Sequence, residues 1–217
     1  MSRPPPLEAY FRALRRHFGP QRWWPAETPF EVMVGAVLTQ NAAWTNVEKA
    51  ILNLKAAGLM DPRRIHEVDA ATLAWALRPA GYFNVKAGRL KNLVAWFLER
   101  AGGSVERLKE TDPARLREEL LGIRGIGRET ADSILLYALG FPTFVVDAYT
   151  HRILSRHGLV PEETDYEEMK ELFEKNLPRD ARLYNEFHAL LVAAGKEFCR
   201  PVPRCAPCPL RRFLPGK

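Results

Sequence analysis

The apolar residues of this 217-residue chain recur with a period near 3.6 along almost its whole length. Val47, Ile51 and Leu54 illustrate the pattern, because they fall on one stripe of a helix. Few runs alternate polar and apolar residues, and β-branched clusters are scarce outside 143–146. The sequence therefore predicts an all-α protein. Helices are expected near 30–40, 44–58, 69–78, 85–100, 114–121, 127–139, 147–157, 164–176 and 180–196.

The composition limits the class of protein further. Hydrophobic residues make up 47% of the chain and charged residues 27%, which is typical of a globular protein with a real core and excludes a disordered chain. No stretch approaches the roughly 18 uninterrupted apolar residues of a membrane span. The first residues, which are Pro-rich, lack the apolar segment of a secretory signal. We expect a cytoplasmic protein with no membrane contact.

The net charge of +6 is modest, but its placement is uneven. Residues 199–217 contain five basic and no acidic side chains, whereas 161–180 contain eight acidic ones. A basic end and an acidic face indicate a polyanionic partner that binds to one side of the protein. A solvated surface without such a partner remains the alternative.

A glycine-rich turn between two predicted helices is the strongest single motif. Residues 121–131 read LGIRGIGRETA, and the Gly125-Ile126-Gly127 turn is flanked by Arg124 and Arg128. Glycines let the backbone approach a partner closely, and the N–H groups of the turn and helix start can hold an anion. Ile126 would anchor the turn from below. The pattern favours a helix–hairpin–helix contact with a DNA backbone that reads no sequence, although many such turns only cap a helix.

Asp147 ends the apolar run 144–146, where an aspartate is either a helix N-cap or a functional carboxylate. Together with the hairpin it lies in the segment 121–154, which resembles the helix–hairpin–helix DNA glycosylases of the endonuclease III superfamily. The resemblance extends through 36–50, 80–93 and 195–199, so it covers nearly the whole chain. It is nearest to the 3-methyladenine DNA glycosylase branch.

The resemblance implies a two-domain, all-α endonuclease III-like fold with a DNA cleft between the domains. Residues 28–143 would form a six-helix barrel that includes the helix–hairpin–helix motif at about 114–139. Residues 1–27 and 144–217 would form a discontinuous second domain with the cysteine-containing C-terminal loop. The expected partner is double-stranded DNA containing a damaged base. We expect the protein to act as a monomer in the cytoplasm, at a bacterial or archaeal nucleoid.

Members of the family flip a damaged nucleotide into a pocket and break its N-glycosidic bond. Asp147 matches their catalytic aspartate, which stabilises positive charge on the sugar and orients or deprotonates water. Glu129 stands where members with strand-cleaving activity carry a lysine, and a carboxylate cannot form the Schiff base. The sequence therefore predicts a monofunctional glycosylase for base excision repair. An oxidised-pyrimidine or mismatch glycosylase, with or without lyase activity, is an alternative; a non-catalytic DNA-binding protein is another.

The aromatic residues suggest the kind of base. The resemblance places Trp24 and Trp44 beside the pocket, where stacking and cation–π attraction would favour an electron-poor alkylated purine such as 3-methyladenine. The alternative is that both tryptophans belong to the hydrophobic core. Tyr149 and Lys196 are weaker pocket candidates.

The resemblance places Gln40, with Asn41, at the DNA stack, filling the space left by the flipped base. Gln40 and Trp44 would share one helical face if the helix continues through Asn41. Trp75 and Trp96 are expected in the core. Two further basic residues are expected to serve phosphates or the solvated face: Lys86 and Arg89.

Cys199, Cys205 and Cys208, the chain's three cysteines, follow a C-x5-C-x2-C pattern. This spacing indicates metal or cluster ligation rather than disulfides. Many members of the family hold a [4Fe–4S] cluster with C-x6-C-x2-C-x5-C, but here Leu214 stands at the fourth position. Three possibilities remain open: a cluster with an open or foreign fourth ligand, a loop that has lost its cluster, and zinc with help from His151 or His188.

Overall fold

A computed structural model of the chain describes residues 5–215. Every regular element among these residues is helical, which confirms the predicted all-α class. None of the helices in this part of the chain is both long and apolar enough to cross a membrane. The chain divides into two compact units, one formed by Ala26–Phe141 and the other by Met1–Pro25 with Pro142–Lys217. The six-helix barrel expected for 28–143 stays a prediction.

The unit Ala26–Phe141 contains eight α-helices. They are α2 (Pro29–Leu38), α3 (Trp44–Ala56), α4 (Pro62–Glu67), α5 (Ala70–Ala76), α6 (Phe83–Ala101), α7 (Val105–Lys109), α8 (Pro113–Leu121) and α9 (Arg128–Ser133), which continues as a π-helical turn over Ile134–Ala138. A short 3₁₀ turn covers Arg78–Ala80. Helix α2 is buried from Phe30 to Leu38 and forms the centre of this unit. Its start is defined by Thr28, whose hydroxyl accepts the N–H of Glu31.

The other unit contains α1 (Leu7–Phe18), α10 (Ala148–Arg156), α11 (Tyr166–Asn176) and α12 (Ala181–Glu197), with a 3₁₀ turn at Arg211–Phe213. Its core is aromatic. Phe144 stacks on Phe173 with ring centroids 3.8 Å apart, and Tyr184 and Phe187 meet Phe144 edge-on. The backbone N–H of Phe144 donates to the Glu174 carboxylate at 2.8 Å. The buried segment 143–146 therefore leads rigidly into Asp147.

Several expectations about individual residues are wrong. Helix α2 ends at Leu38, and Asn41 has a left-handed φ of 50° before α3 begins at Trp44. Gln40 and Trp44 therefore share no helical face, since the chain turns between them. Trp75 is 72% exposed rather than in the core, because the opposite stripe of α5 packs inward. Trp96 is half-buried.

Lys86 was expected at phosphates or in solvent and is instead 1% exposed. Its ammonium donates to the carbonyls of Leu38 at 2.8 Å and Ala80 at 2.7 Å. The Leu38 carbonyl ends α2 and has no partner within the helix, so the buried ammonium satisfies it. Burial, with a smaller contribution from the Arg89 charge, lowers the Lys86 pKa. Lys86 is thus a structural residue that joins α2 to α6.

Candidate functional site

The glycine-rich turn connects α8 to α9. Gly125 has a φ of 96°, which glycine adopts without strain, and Gly127 precedes α9 in an extended conformation. Ile126 is buried and donates its N–H to the Ile123 carbonyl at 3.0 Å. Arg124 and Arg128 are exposed, as is Glu129 in the first turn of α9. The turn thus presents backbone and basic side chains to solvent above an apolar anchor.

An ion pair braces the two helices of this hairpin. Arg117 on α8 donates from Nε and Nη2 to the two carboxylate oxygens of Asp132 on α9, at 2.8 and 3.0 Å. Asp132 is completely buried, and a bidentate pair fixes orientation as well as distance. The hairpin is therefore held in one geometry before any partner arrives.

Gln40 lies against this hairpin within the same unit. Its side-chain Nε2 donates to the Gly125 carbonyl at 3.1 Å and to the Thr130 hydroxyl at 2.9 Å. Arg89 on α6 donates from Nη1 to Gln40 Oε1 at 2.6 Å. Asn41, the next residue, is exposed. The turn after α2 and the glycine-rich turn thus form one hydrogen-bonded surface.

Asp147 is the N-cap of α10. Its Oδ1 accepts the backbone N–H of Thr150 at 2.7 Å, while Oδ2 lies 3.8 Å from Nε2 of His188 on α12. The Asp147 side chain is 13% exposed and that of His188 is 10% exposed. Burial lowers the pKa of His188, an effect that the Asp147 charge opposes. The imidazole is therefore neutral near pH 7, and Asp147 has a fixed carboxylate with one oxygen outside the cap hydrogen bond.

Tyr149 follows Asp147 and packs directly on the backbone of α12. A Cβ added at Gly195 would lie 2.6 Å from the Tyr149 Cβ and 2.7 Å from its Cγ, so only glycine admits this contact. The Arg152 guanidinium lies 5.1 Å from the Tyr149 ring centroid. Lys196, beside Gly195, is exposed.

The tryptophans proposed for the pocket lie in different units. Trp24 is half-buried, with its ring centroid 4.9 Å from that of Trp23, and Trp44 is half-buried at the start of α3. The structure places Gln40, Trp44 and Glu129 in one unit. The other unit holds Trp24, Asp147, Tyr149, Lys196 and the three cysteines.

Arg89 and His188 contact predicted site residues, but no pattern in the sequence indicates these contacts. Arg89 resembles any basic residue on an amphipathic helix, and its bond to Gln40 depends on the approach of α6 to the hairpin. The sequence suggests His188 only as a metal ligand, whereas in the structure its ring faces Asp147. Both contacts join residues far apart in the chain, which periodicity cannot detect.

The three cysteines line one cavity of about 300 Å³. The cavity is also lined by Arg156, Arg204 and Arg211, and by His157 and Leu214. Arg156 Nη1 lies 3.5 Å from Cys199 Sγ, and burial raises the pKa of the Cys208 thiol. Among residues 5–215 no three His, Cys, Asp or Glu side chains are close enough to hold a single metal ion. The zinc alternative therefore lacks a site within these residues.

Residues 34–179 match the HhH-GPD superfamily of base excision DNA repair proteins. The match spans more than half of the chain, so the chain belongs to this family and is a DNA glycosylase. It is 50% identical over 208 residues to a Methanocaldococcus jannaschii protein named provisionally as a DNA repair glycosylase, covering 95% of this chain and 94% of that relative. It is 32% identical to endonuclease III of Thermotoga maritima, over 84% of this chain and 81% of the relative.

Two solved structures show the same fold. A 3-methyladenine DNA glycosylase of H. pylori, bound to 1,N6-ethenoadenine, superimposes with a TM-score of 0.78 at 32% identity, covering 88% of this chain and 97% of that one. A non-covalent endonuclease III–DNA complex superimposes with a TM-score of 0.84 at 22% identity, covering 99% and 96%. The predicted endonuclease III-like fold is confirmed.

Proposed function

We propose that this glycosylase is monofunctional: acting as a monomer on double-stranded DNA, it hydrolyses the N-glycosidic bond of a flipped-out damaged base. The observation that carries the proposal is the geometry of Asp147. Its carboxylate is nearly buried, is oriented by the Thr150 N–H, and keeps Oδ2 outside that bond. Departure of a base leaves oxocarbenium character on the sugar, and a carboxylate oriented in advance stabilises such charge strongly in a dry site.

The same carboxylate can serve the water nucleophile. An oxygen that accepts no helix N–H is available to orient or deprotonate a water molecule attacking the sugar. His188 is neutral near pH 7, so it adds no positive charge that would weaken the electrostatic effect of Asp147 on the sugar. Asp147 would therefore assist both the breaking of the N-glycosidic bond and the attack of water on the sugar.

Glu129 supports the monofunctional part of the proposal. It is exposed in the first turn of α9, where a negative charge interacts favourably with the helix dipole. A carboxylate has no nitrogen with which to form the imine that strand cleavage requires. The product would be an intact strand with an abasic site.

Borohydride trapping tests this assignment. We expect no covalent protein–DNA adduct from the wild-type protein on a duplex from which it releases the base, because water rather than an amine attacks the sugar. Alkali should then cleave the strand only at the abasic site. A strand-cleaving endonuclease III run in parallel controls for the trapping chemistry. A trapped adduct in the wild-type lane would show that a lysine elsewhere replaces Glu129.

The hairpin provides the DNA-binding part of the proposed function. The first N–H groups of a helix have no intrahelical acceptor, so Gly127 and the start of α9 can donate to a phosphate. Exposed Arg124 and Arg128 add charge beside that position. Such contacts position the protein without reading sequence, and binding should weaken steeply with salt.

We propose an alkylated purine such as 3-methyladenine as the base. Aromatic rings favour an electron-poor base through stacking and cation–π attraction. Trp24, Trp44 and Tyr149, the aromatic residues proposed to contact the base, are each half-buried. The similarity to the H. pylori protein that binds 1,N6-ethenoadenine also supports this class.

A panel of duplexes, each with one lesion, distinguishes the candidates. Release of alkylated purines supports the proposal. Release of oxidised pyrimidines or mismatched bases instead would assign the chain to the alternative glycosylases. Tight duplex binding without release of any base in the panel would contradict the proposed substrate class.

The cysteine cavity fits a cluster only in part. It is lined by three cysteine side chains and three guanidinium groups, while Leu214 occupies the wall at the fourth family position. We propose that Cys199, Cys205 and Cys208 hold an iron–sulfur cluster whose remaining iron takes a ligand from outside the chain. The cluster would order the C-terminal loop, which Arg156 already ties down through the carbonyls of Arg200 and Pro201 at 2.6 and 2.9 Å.

Leu214→Cys tests this site. After anaerobic reconstitution we expect bound iron and sulfide in the wild type, and several-fold slower loss of the cluster in air in the variant, because a fourth thiolate closes the open iron. Val202→Cys is the matched control, since Val202 is 82% exposed and does not line the cavity. Iron and sulfide analysis measures the amount of bound cluster, and visible absorption follows its loss in air. A wild-type protein that binds neither iron nor sulfide would instead be one whose loop has lost its cluster.

A further inference from the structure

Arg89 contacts both the Gln40 side chain and the glycine-rich turn. It lies on α6 and is half-buried. Its guanidinium donates to Gln40 Oε1 at 2.6 Å, while its aliphatic stem covers Gly125. A Cβ at Gly125 would lie 2.9 Å from Arg89 Cδ and nearer still to Cγ, so the stem occupies the space that any other residue would need.

The hydrogen bonds around Gln40 specify which way its amide points. Nε2 donates to two acceptors, the Gly125 carbonyl and the Thr130 hydroxyl. Gln40 Oε1 is then left to accept a hydrogen bond, and the charged Arg89 guanidinium donates it. A side chain with two acceptors and a charge-assisted donor has one favourable orientation, whereas a free glutamine samples several rotamers.

A second side chain of α6 contacts the same turn. Asn92, three residues after Arg89 and so on the same side of the helix, donates from Nδ2 to the Arg124 carbonyl at 3.0 Å. Helix α6 thus holds the hairpin at Arg124 and Gly125. Of the two, Arg89 also reaches Gln40.

We propose that Arg89 is a positioning residue through which Gln40 and the hairpin act as one DNA-engaging unit. Gln40 bonds the hairpin itself through Gly125 and Thr130, and the Arg89 guanidinium holds the Gln40 amide in the orientation that makes those two bonds. The inference rests on the proposed function for the role of the hairpin, and on the place in the DNA stack that the family resemblance implies for Gln40. It differs from a simple phosphate contact, in which Arg89 would contribute charge alone.

A double-mutant cycle of Arg89→Met and Gln40→Ala tests the coupling. Met keeps the stem over Gly125 and removes the guanidinium. We expect Arg89→Met to slow single-turnover base release about tenfold, the equivalent of one charge-assisted hydrogen bond, with little change in affinity for undamaged DNA. In the Gln40→Ala background the same substitution should have almost no further effect.

Arg89→Lys separates positioning from charge. Lysine keeps the charge and a long stem but not the planar donor, so base release should recover only in part. If Arg89 were a phosphate contact, Arg89→Met would weaken binding to all duplexes and reduce the slope of the salt dependence by about one. Arg89→Lys would then restore binding. The effects of substituting Arg89 and Gln40 would add. That pattern would overturn the proposal.

The Gln40 side-chain amide provides a readout that does not depend on activity. In the DNA-free protein we expect a dispersed NMR signal for this NH₂ group in the wild type and an averaged one in Arg89→Met. An unchanged signal in a variant with wild-type thermal stability would refute the positioning role. If no base in the panel is released but the NMR signal changes as expected, the proposed function fails while the coupling stands.

Discussion

Asp147→Asn should lower base release by at least about a hundredfold, the loss typical of removing a group that stabilises transition-state charge. Asparagine caps a helix as well as aspartate does, so the Thr150 N–H keeps its acceptor and α10 its start. The substitution therefore removes the charge and the proton acceptor while preserving the cap. Single-turnover release on a lesion duplex measures the effect, and affinity for the same duplex should be nearly unchanged.

Asp165→Asn is the matched control for this substitution. Asp165 is the N-cap of α11 and accepts the Glu168 N–H at 2.9 Å, so it loses the same charge at the same structural position. We expect wild-type base release from it. Near-wild-type release by Asp147→Asn would show that another group performs the chemistry.

Gly125→Ala should weaken binding to undamaged duplex DNA by about tenfold or more. A non-glycine residue at a left-handed φ is destabilised by about 1–2 kcal/mol, and the added Cβ would displace the Arg89 stem. The turn would shift, and the N–H groups at the start of α9 would lose their alignment with a phosphate. Fluorescence anisotropy at several salt concentrations measures the change.

Gly19→Ala controls for backbone strain alone. Gly19 has a φ of 71°, and a Cβ there would meet nothing within 4 Å. This variant should lose some thermal stability without any loss of DNA affinity. Equal losses of affinity in both glycine variants would mean that global destabilisation, rather than the hairpin, explains the result.

Much of the fold could be predicted because local signals agree with the tertiary structure. The helix expected near 69–78 begins after Asp69, whose side chain accepts the Thr72 N–H at 2.9 Å. The one near 180–196 is observed at Ala181–Glu197, after the cap Asp180. Caps and periodicity act within a few residues, so the sequence displays them directly. Helices α1, α4 and α7 were not predicted. Helices α4 and α7 have 6 and 5 residues, too few to establish a period, whereas the 12 residues of α1 are enough to show one and the prediction omitted it.

The candidate site was only partly predictable for the same physical reason. The sequence by itself determined the helical class, the glycine-rich turn and the aspartate that caps α10, since each depends on neighbouring residues. Only the tertiary structure decided that Lys86 is buried, that Arg89 bonds Gln40, and that His188 faces Asp147. Asp147 and His188 lie 41 positions apart in the sequence, and Gln40 and Arg89 lie 49 positions apart. These contacts arise from the packing of whole helices, which no local pattern encodes.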